Sequence, residues 1–175
     1  RHTKIVQKIL TKVHESGDIY MDEYEGWYSI SEERFITEKE LDSGQFGQVK
    51  QIKEKNYFFR MSKYQATLID KIEKDEFLIQ PKSRKNEVLG FLKNELSDLC
   101  ISRPKSRLEW GIELPFDDNY VTYVWFDALI NYISAIGAYS NDEQFSSLWP
   151  ADVHLIGKDI LTTHSVYWPT MLLSL

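Results

Sequence analysis

The sequence predicts an α/β protein whose carboxyl-terminal half is part of a parallel sheet covered by helices. Residues 120–126 (YVTYVWF) are almost continuously apolar and aromatic, which is typical of a strand buried on both faces. Residues 153–156 (VHLI) repeat this pattern in a shorter form. A helical pattern follows each of them, with Asp127 expected to cap the first helix. Two strand–helix units in succession predict a right-handed crossover within one sheet.

The part of the chain before this half divides into two segments. Residues 1–16 contain an amphipathic helix, and residues 17–98 are rich in strand-forming residue types and include two helical patterns. We therefore expect a helix in 1–16, a strand-rich α+β insertion over 17–98, and the α/β half over 99–175. The apolar stripe of the first helix consists of Ile5, Val6, Ile9, Leu10 and Val13.

Composition excludes several classes of protein. The net charge of −6 argues against a chain wrapped over its whole surface by DNA or RNA. Cys100 is the single cysteine, so no internal disulfide forms, which indicates a reducing, cytoplasmic compartment. No apolar run is long enough to span a membrane. Neither end of the sequence resembles a natural terminus, so we expect a piece of a longer protein.

The candidate ligand site lies where the two predicted strands end, because ligands of open α/β sheets bind beyond the carboxyl ends of the strands. By helical spacing, a mostly apolar, aromatic pocket forms there, which suits an uncharged, polarisable side chain such as a thioether. The alternative is an ordinary core, in which the aromatic rings only pack and the histidine is internally satisfied. The pocket residues are Trp125, Ala128 or Leu129, and Tyr132 on one helix, and Ile160, His164 and Trp168 on the other.

A polar rim is predicted beside this pocket. Gly157 opens a turn, Lys158 follows, and Asp159 caps the next helix, whose amino terminus attracts anions. Arg103, just before the α/β half, has three open interpretations: a solvated surface residue, a partner of Asp159, or a bidentate contact for a ligand carboxylate.

Several stretches together make the sequence similar to one known family. It resembles the methionyl-tRNA synthetases, which are class I aminoacyl-tRNA synthetases, over essentially its whole length. The matching stretches are Gly17–Tyr20, Tyr24–Tyr28, Tyr57–Met61, Ile101–Arg103, Tyr123–Ala128 and Trp149–Pro169.

The resemblance implies a fold, a reaction and a set of roles. The fold is a Rossmann-like parallel sheet split by a connective insertion. The reaction is methionine activation by ATP, used with Mg²⁺, and transfer of the methionyl group to initiator and elongator tRNA. Trp125, Ala128, Leu129, Tyr132, Ile160 and His164 match the methionine pocket, with His164 as a wall residue. Gly157 and Asp159 match the adenylate-facing segment. Arg103, Lys158 and Asp159 match the catalytic positions, and Trp168 matches a supporting position.

Two departures from the family pattern limit what the resemblance implies. Ser29 and Glu32 stand where many members carry the first pair of metal-binding cysteines, so we expect no zinc. The His-Ile-Gly-His and Lys-Met-Ser-Lys-Ser elements are absent, and Arg60–Tyr64 (RMSKY) is interpreted as a coincidental match to the second. The chain is therefore expected to be an inactive central fragment. The alternative function is a non-catalytic module, derived from a class I synthetase, that binds RNA or a nucleotide.

Overall fold

The computed structural model describes residues 1–29, 34–36, 41–42, 48–122 and 124–175. The helices are α1 (His2–Glu15), α2 (Gln65–Glu73), α3 (Lys82–Phe91), α4 (Trp125–Ser134), α5 (Asp142–Leu148) and α6 (Trp168–Leu173). The strands are β1 (Ile19–Ser29), β2 (Arg34–Ile36), β3 (Val49–Phe59), β4 (Leu99–Cys100), β5 (Ser102–Pro104), β6 (Glu113–Leu114) and β7 (Asp117–Thr122). Short 3₁₀ turns span Met61–Tyr64 and Lys158–Ile160, and a π-helical turn spans Thr163–Tyr167.

The first sheet is built on one long antiparallel pair. β1 and β3 pair over their full length, from Ile19 opposite Phe59 to Ser29 opposite Val49. The strand order of the whole sheet is β2–β1–β3–β4. Glu23 on one strand lies 3.1 Å from Lys53 on the other, an opposite-charge pair of the kind that stabilises neighbouring strands. The strand-rich character expected between residues 17 and 98 is therefore present in the described part of that segment.

The second sheet corrects the predicted parallel arrangement. β5 and β6 flank β7 on either side, and both pairings are antiparallel. Because β7 is the central strand, both of its edges are already hydrogen-bonded. Residues 153–156 thus have no free edge of β7 to pair with, and they form no strand here. The prediction that they and residues 120–126 form neighbouring parallel strands is therefore not confirmed, since the pairings of β7 described here are antiparallel.

The predicted boundary between the first strand and its helix is also wrong. β7 ends at Thr122, Tyr123 is outside the described residues, and α4 begins at Trp125 rather than Asp127. Val124 separates the two with a φ of 30°, which a β-branched residue rarely adopts. Trp125 therefore belongs to the first turn of a helix and not to the end of a strand.

One hydrophobic core joins the amino-terminal and carboxyl-terminal parts of the chain. The apolar stripe predicted for α1 is confirmed, since all five of its members are buried. It packs with the buried faces of α2, α4 and α6. Among the described residues, no helix has the length and hydropathy that a membrane span requires. Core residues of those helices are Leu68, Ile72, Leu129, Ile130, Ile133, Trp168 and Met171.

Asp18 fixes the segment that follows β3 to the end of α1. It is 2% exposed, and its carboxylate accepts hydrogen bonds from Lys63 Nζ at 2.7 and 2.9 Å and from the Tyr64 hydroxyl. The Asp18 carbonyl also accepts from the Arg60 N–H at 2.8 Å. Arg60–Tyr64 is thus a packed turn bonded to Asp18 just after α1, and that its resemblance to the Lys-Met-Ser-Lys-Ser element is coincidental stays a prediction.

Candidate functional site

The exposed face of α4 carries three of the predicted pocket residues. Trp125, Ala128 and Tyr132 recur at helical spacing and are exposed, with Trp125 37% and Tyr132 38% accessible. Leu129 is 2% exposed and lies in the core. Of the two open interpretations for this helix, the structure therefore places Ala128 on the pocket face and Leu129 beneath it.

His164 is held by hydrogen bonds at both ring nitrogens. Its Nδ1 lies 3.0 Å from the Ile160 carbonyl oxygen, and its Nε2 lies 2.8 Å from the Tyr132 hydroxyl. A carbonyl oxygen can only accept, so Nδ1 donates to Ile160. The ring is 7% exposed and is fixed at both nitrogens, and its role as a pocket wall rather than a general base stays a prediction.

Aromatic contacts centre on Tyr132. Its ring centroid lies 5.6 Å from that of His164 and 5.8 Å from that of Trp168, so the structure brings the faces of the two predicted helices together. Trp149 packs edge-on against Trp168 at 6.2 Å. The result is an aromatic cluster with little formal charge, in which Tyr132 is the most exposed ring and His164 and Trp168 lie buried behind it. Such a cluster favours contact with a polarisable apolar group.

His154 belongs to this cluster, although no role for it follows from the helical spacing. It lies edge-on to Tyr132 at 4.7 Å and 6.5 Å from His164. Burial, together with the nearby His164, lowers the pKa of His154 from its ordinary value. The sequence signal available for His154 was its spacing, because residues two apart in an extended segment share a side and His154 therefore groups with Ile156. In the structure these two are half-buried, whereas Val153 and Leu155 are 76% and 96% exposed.

A π-helical turn and a proline shape the segment that bears His164 and Trp168. Pro169 lies inside a helical run and has no N–H to donate to the carbonyl one turn earlier. The wider turn over Thr163–Tyr167 directly precedes it, as is common where a proline interrupts the hydrogen-bond ladder. Trp168 is 2% exposed, and its Nε1 has no hydrogen-bond partner among the described residues.

The polar rim differs from the prediction. Gly157 has φ −72° and ψ 153°, which any residue adopts, and Asp159 does not cap a helix with its side chain. A Cβ placed on Gly157 would meet no atom within 4 Å. Gly157, Lys158 and Asp159 are all exposed, so their main chain is open to a ligand. The predicted tight glycine turn and Asp159 cap are therefore wrong, because a short 3₁₀ turn replaces the helix start.

Arg103 is not a solvated surface residue. It lies on β5, is 7% exposed, and its Nη1 donates to the Ser102 carbonyl at 2.8 Å and contacts Cys100 Sγ at 3.1 Å. Burial is the first cause of a raised pKa for the Cys100 thiol, so this residue stays protonated and packs as an apolar group. The buried position of Arg103 excludes the first of its three interpretations. Its role as a partner of Asp159 or of a ligand carboxylate stays a prediction.

Two cavities of the structure lie away from the candidate pocket. These cavities, of about 260 and 350 Å³, lie beside Met61 and Tyr167 and beside Ile69 and Lys93, and they are not lined by the pocket residues. Within the described part of the chain, no three or more His, Cys, Asp or Glu side chains are arranged to hold a metal ion. Glu32, at one of the substituted cysteine positions, is outside the described residues.

Comparison with known families decides the relationship of this chain. A family described as class I (M) tRNA synthetases matches residues 1–45 and 42–175, which together include the aromatic cluster and the polar rim. The chain belongs to this family. The structure combines helices and sheets and matches solved structures of this family, so the coarse α/β class predicted from the sequence is confirmed.

Named relatives fall in one group. The chain is 52% identical over 180 residues to the methionine–tRNA ligase of Clostridium acetobutylicum and 45% identical over 194 residues to that of Bacillus subtilis. These alignments cover 99% and 100% of this chain but 28% and 29% of the relatives. The chain therefore spans less than a third of the length of these curated relatives.

Solved structures of the Mycobacterium tuberculosis methionyl-tRNA synthetase resemble the chain closely. The form bound by methionyl-adenylate has a TM-score of 0.86, and the apo form has 0.87, each at 40% identity. Each alignment covers 99% of this chain and 36% of that protein. The likeness covers 99% of this chain, and an identity of 40% is high enough to compare individual segments.

Proposed function

We propose that this chain is the central part of a methionine–tRNA ligase. The full-length enzyme activates methionine with ATP and Mg²⁺ to give enzyme-bound methionyl-adenylate and pyrophosphate. It then transfers the methionyl group to the terminal ribose of initiator and elongator methionine tRNA in the cytoplasm. The observation that carries the proposal is the aromatic cluster of Tyr132, His164 and Trp168, together with membership of the class I (M) family.

This cluster suits the side chain of methionine. Thioether sulfur makes favourable contacts with aromatic rings, and the fixed, uncharged ring of His164 offers such a wall without the desolvation cost of a charge. Trp125 and Ala128 extend the surface along α4, and Ile160 closes it beside His164. Leu129 supports the pocket from the core, so its contribution is the placement of α4 rather than direct contact.

The exposed rim takes the activated carboxyl group and the nucleotide. Gly157 exposes its main chain to the adenylate, Asp159 binds the ribose hydroxyls, and Lys158 faces the phosphate. Arg103 holds the methionine carboxylate and Trp168 supports the pocket. None of these groups needs to transfer a proton, because activation of this kind relies on positioning and on stabilisation of developing charge.

The remaining sheet of the catalytic domain forms with parts of the protein beyond this chain. Val153 and Leu155 are exposed on one side of an extended segment, and an exposed extended apolar segment is suited to pair with a further strand. We propose that residues 153–156 become a strand of a Rossmann-like parallel sheet. In that arrangement residues 17–98 are the connective insertion near the tRNA acceptor end, and residues 99–175 complete the catalytic domain.

Two consequences concern the isolated chain and its insertion. The 175-residue chain lacks the His-Ile-Gly-His and Lys-Met-Ser-Lys-Ser elements, which by the resemblance bind the ATP phosphates, and it does not form adenylate. Methionine-dependent pyrophosphate exchange by this chain would contradict that. The insertion holds no zinc, because Ser29 and Glu32 replace a cysteine pair. Elemental analysis of the purified full-length protein should give less than a tenth of an equivalent of zinc, and one equivalent would refute the expectation.

A tryptophan substitution in the full-length protein tests the pocket. We expect Trp125→Ala to raise the KM for methionine in pyrophosphate exchange at least tenfold and to change the KM for ATP less than threefold, since truncating a contact aromatic costs more than ~1.4 kcal/mol. Trp110→Ala is the matched control, because Trp110 is 72% exposed and lies outside the predicted pocket.

Three results have distinct meanings. Equal losses for methionine and ATP would contradict the pocket assignment. No methionine-dependent exchange by the wild-type full-length protein would contradict the ligase function and favour the non-catalytic RNA- or nucleotide-binding alternative. An effect of Trp110→Ala as large as that of Trp125→Ala would show that the change in KM is not specific to the pocket.

A further inference from the structure

His2 joins the two ends of the helix that bears half of the pocket. Its Nε2 lies 2.7 Å from Asp127 Oδ1, and its Nδ1 lies 2.7 Å from Ser134 Oγ. Asp127 is in the first turn of α4, and Ser134 is the last residue of that helix. One imidazole on α1 is therefore hydrogen-bonded to both the first and the last turn of α4.

These contacts hold α4 at the end where a side-chain capping hydrogen bond would usually do so. α4 has no side-chain hydrogen bond at its N-cap, and Val124 before it has a φ of 30°, a backbone conformation that persists only where surrounding contacts impose it. Asp127, the acidic residue of the first turn, is hydrogen-bonded to His2. At the other end, Arg1 Nη2 lies 3.2 Å from the Ser134 carbonyl oxygen, one of the terminal acceptors of α4.

The clamped residues share α4 with the pocket residues but lie on its opposite face, because positions two apart are about 200° apart around a helix. Asp127 is two positions from Trp125, and Ser134 is two positions from Tyr132, so the same short helix bears both the contacts and the pocket face. A helix with side chains has a radius of about 5–6 Å, so a rotation of about 10° moves a pocket side chain by about 1 Å. A misplacement of about 1 Å can reduce a rate about 100-fold when the reaction depends on orientation.

We propose that His2 is a positioning residue for the methionine pocket, holding α4 at the rotation that presents Trp125 and Tyr132 to the substrate. This inference rests on the proposed function. His2 does not touch the substrate or the reacting atoms. Its effect is on methionine rather than on ATP, because α4 carries pocket residues, whereas the predicted adenylate-facing residues 157–159 lie on a separate segment.

The test uses the full-length protein with pyrophosphate exchange measured against each substrate. We expect His2→Ala to raise the KM for methionine about tenfold and to change the KM for ATP less than twofold. His2→Gln, which can donate to Asp127 and accept from Ser134, should restore most of the loss. Ser134→Ala removes one of the two contacts and should raise the KM for methionine about threefold.

The control is the second histidine of α1. His14 stacks on Phe116 with ring centroids 3.9 Å apart and lies at the far end of the helix from His2. His14→Ala therefore tests whether weakening α1 is by itself enough to change methionine binding. We expect it to lower the thermal midpoint without changing either KM by more than twofold.

The outcomes separate this inference from the proposed function. Absence of exchange in the wild-type protein contradicts the function itself. Normal exchange in the wild type with equal changes in both KM values for His2→Ala, or with a lowered thermal midpoint alone, overturns the positioning role. If His2→Ala does not fold, Ser134→Ala and His2→Gln test the proposal instead. An unchanged KM for methionine in Ser134→Ala then overturns the proposal.

Discussion

Replacing Tyr132 by Phe tests the hydrogen bond that fixes His164. The change removes one hydroxyl and keeps the ring, so the contacts with His154 and Trp168 remain. His164 is 7% exposed, and a buried nitrogen left without its partner costs about 1–3 kcal/mol. Because Tyr132 is 38% exposed, water can reach part of the vacated space, so we expect a loss near ~1 kcal/mol in the free energy of unfolding.

The measurement compares urea unfolding of Tyr132→Phe with that of Tyr139→Phe. Tyr139 is 40% exposed, lies under the Lys8 ammonium at 4.8 Å, and its hydroxyl has no hydrogen bond within the described residues, so it is a matched control. In the full-length protein, the same change should also raise the KM for methionine, because His164 loses the bond that fixes it as a pocket wall; a loss of ~1 kcal/mol in binding free energy corresponds to about fivefold. A difference of less than ~0.3 kcal/mol between the two variants would refute the assigned role of the hydroxyl.

Three further substitutions test other features. Gly157→Ala should leave the thermal midpoint of this chain unchanged but lower adenylate formation by the full-length protein at least tenfold, as seen by pyrophosphate exchange; a loss of stability would show that the glycine is needed by the fold. His154 has a lowered folded pKa, so as pH falls below about 6.5 the unfolded state takes up the proton first and stability declines. His154→Gln should therefore show a smaller decline in urea midpoint between about pH 8 and 5.5 than the wild type, and an equal decline would contradict this. Burial raises the pKa of Asp18, but hydrogen bonds from Lys63 and Tyr64 outweigh it and hold that pKa below its ordinary value. The contribution of Asp18 is present above about pH 4 and declines as pH falls towards the lowered folded value, so Asp18→Asn should reduce the thermal midpoint by about 4 °C at pH 7 and by progressively less as the pH falls below about 4.

The pocket face could be predicted because helical spacing is a local property. Trp125 and Tyr132 are seven residues apart, and His164 and Trp168 are four apart, so each pair shares a face whatever the tertiary structure. The choice between Ala128 and Leu129 required the structure, because both lie near that face and only packing decides which one is buried.

The sheet could not be predicted, because pairing is a long-range property. A run such as 120–126 indicates burial but not the direction of its neighbours. Here Val121 lies opposite Arg103 on one side and Glu113 on the other, and both partners are short strands without strong sequence patterns. The fixing of His164 by Tyr132 and the place of His154 also depend on contacts between segments that are distant in sequence.

The π-helical turn has a consequence for the angular alignment of the pocket wall. In a regular α-helix of about 3.6 residues per turn, four residues exceed a full turn by about 40°, so side chains placed every four residues drift around the axis. The wider turn between His164 and Trp168 requires more residues per revolution and so offsets this drift. Deleting one of the three residues between His164 and Trp168 would leave these two three positions apart, about 60° short of a full turn of α-helix, and would turn the indole of Trp168 away from Tyr132, even though every pocket residue would still be present.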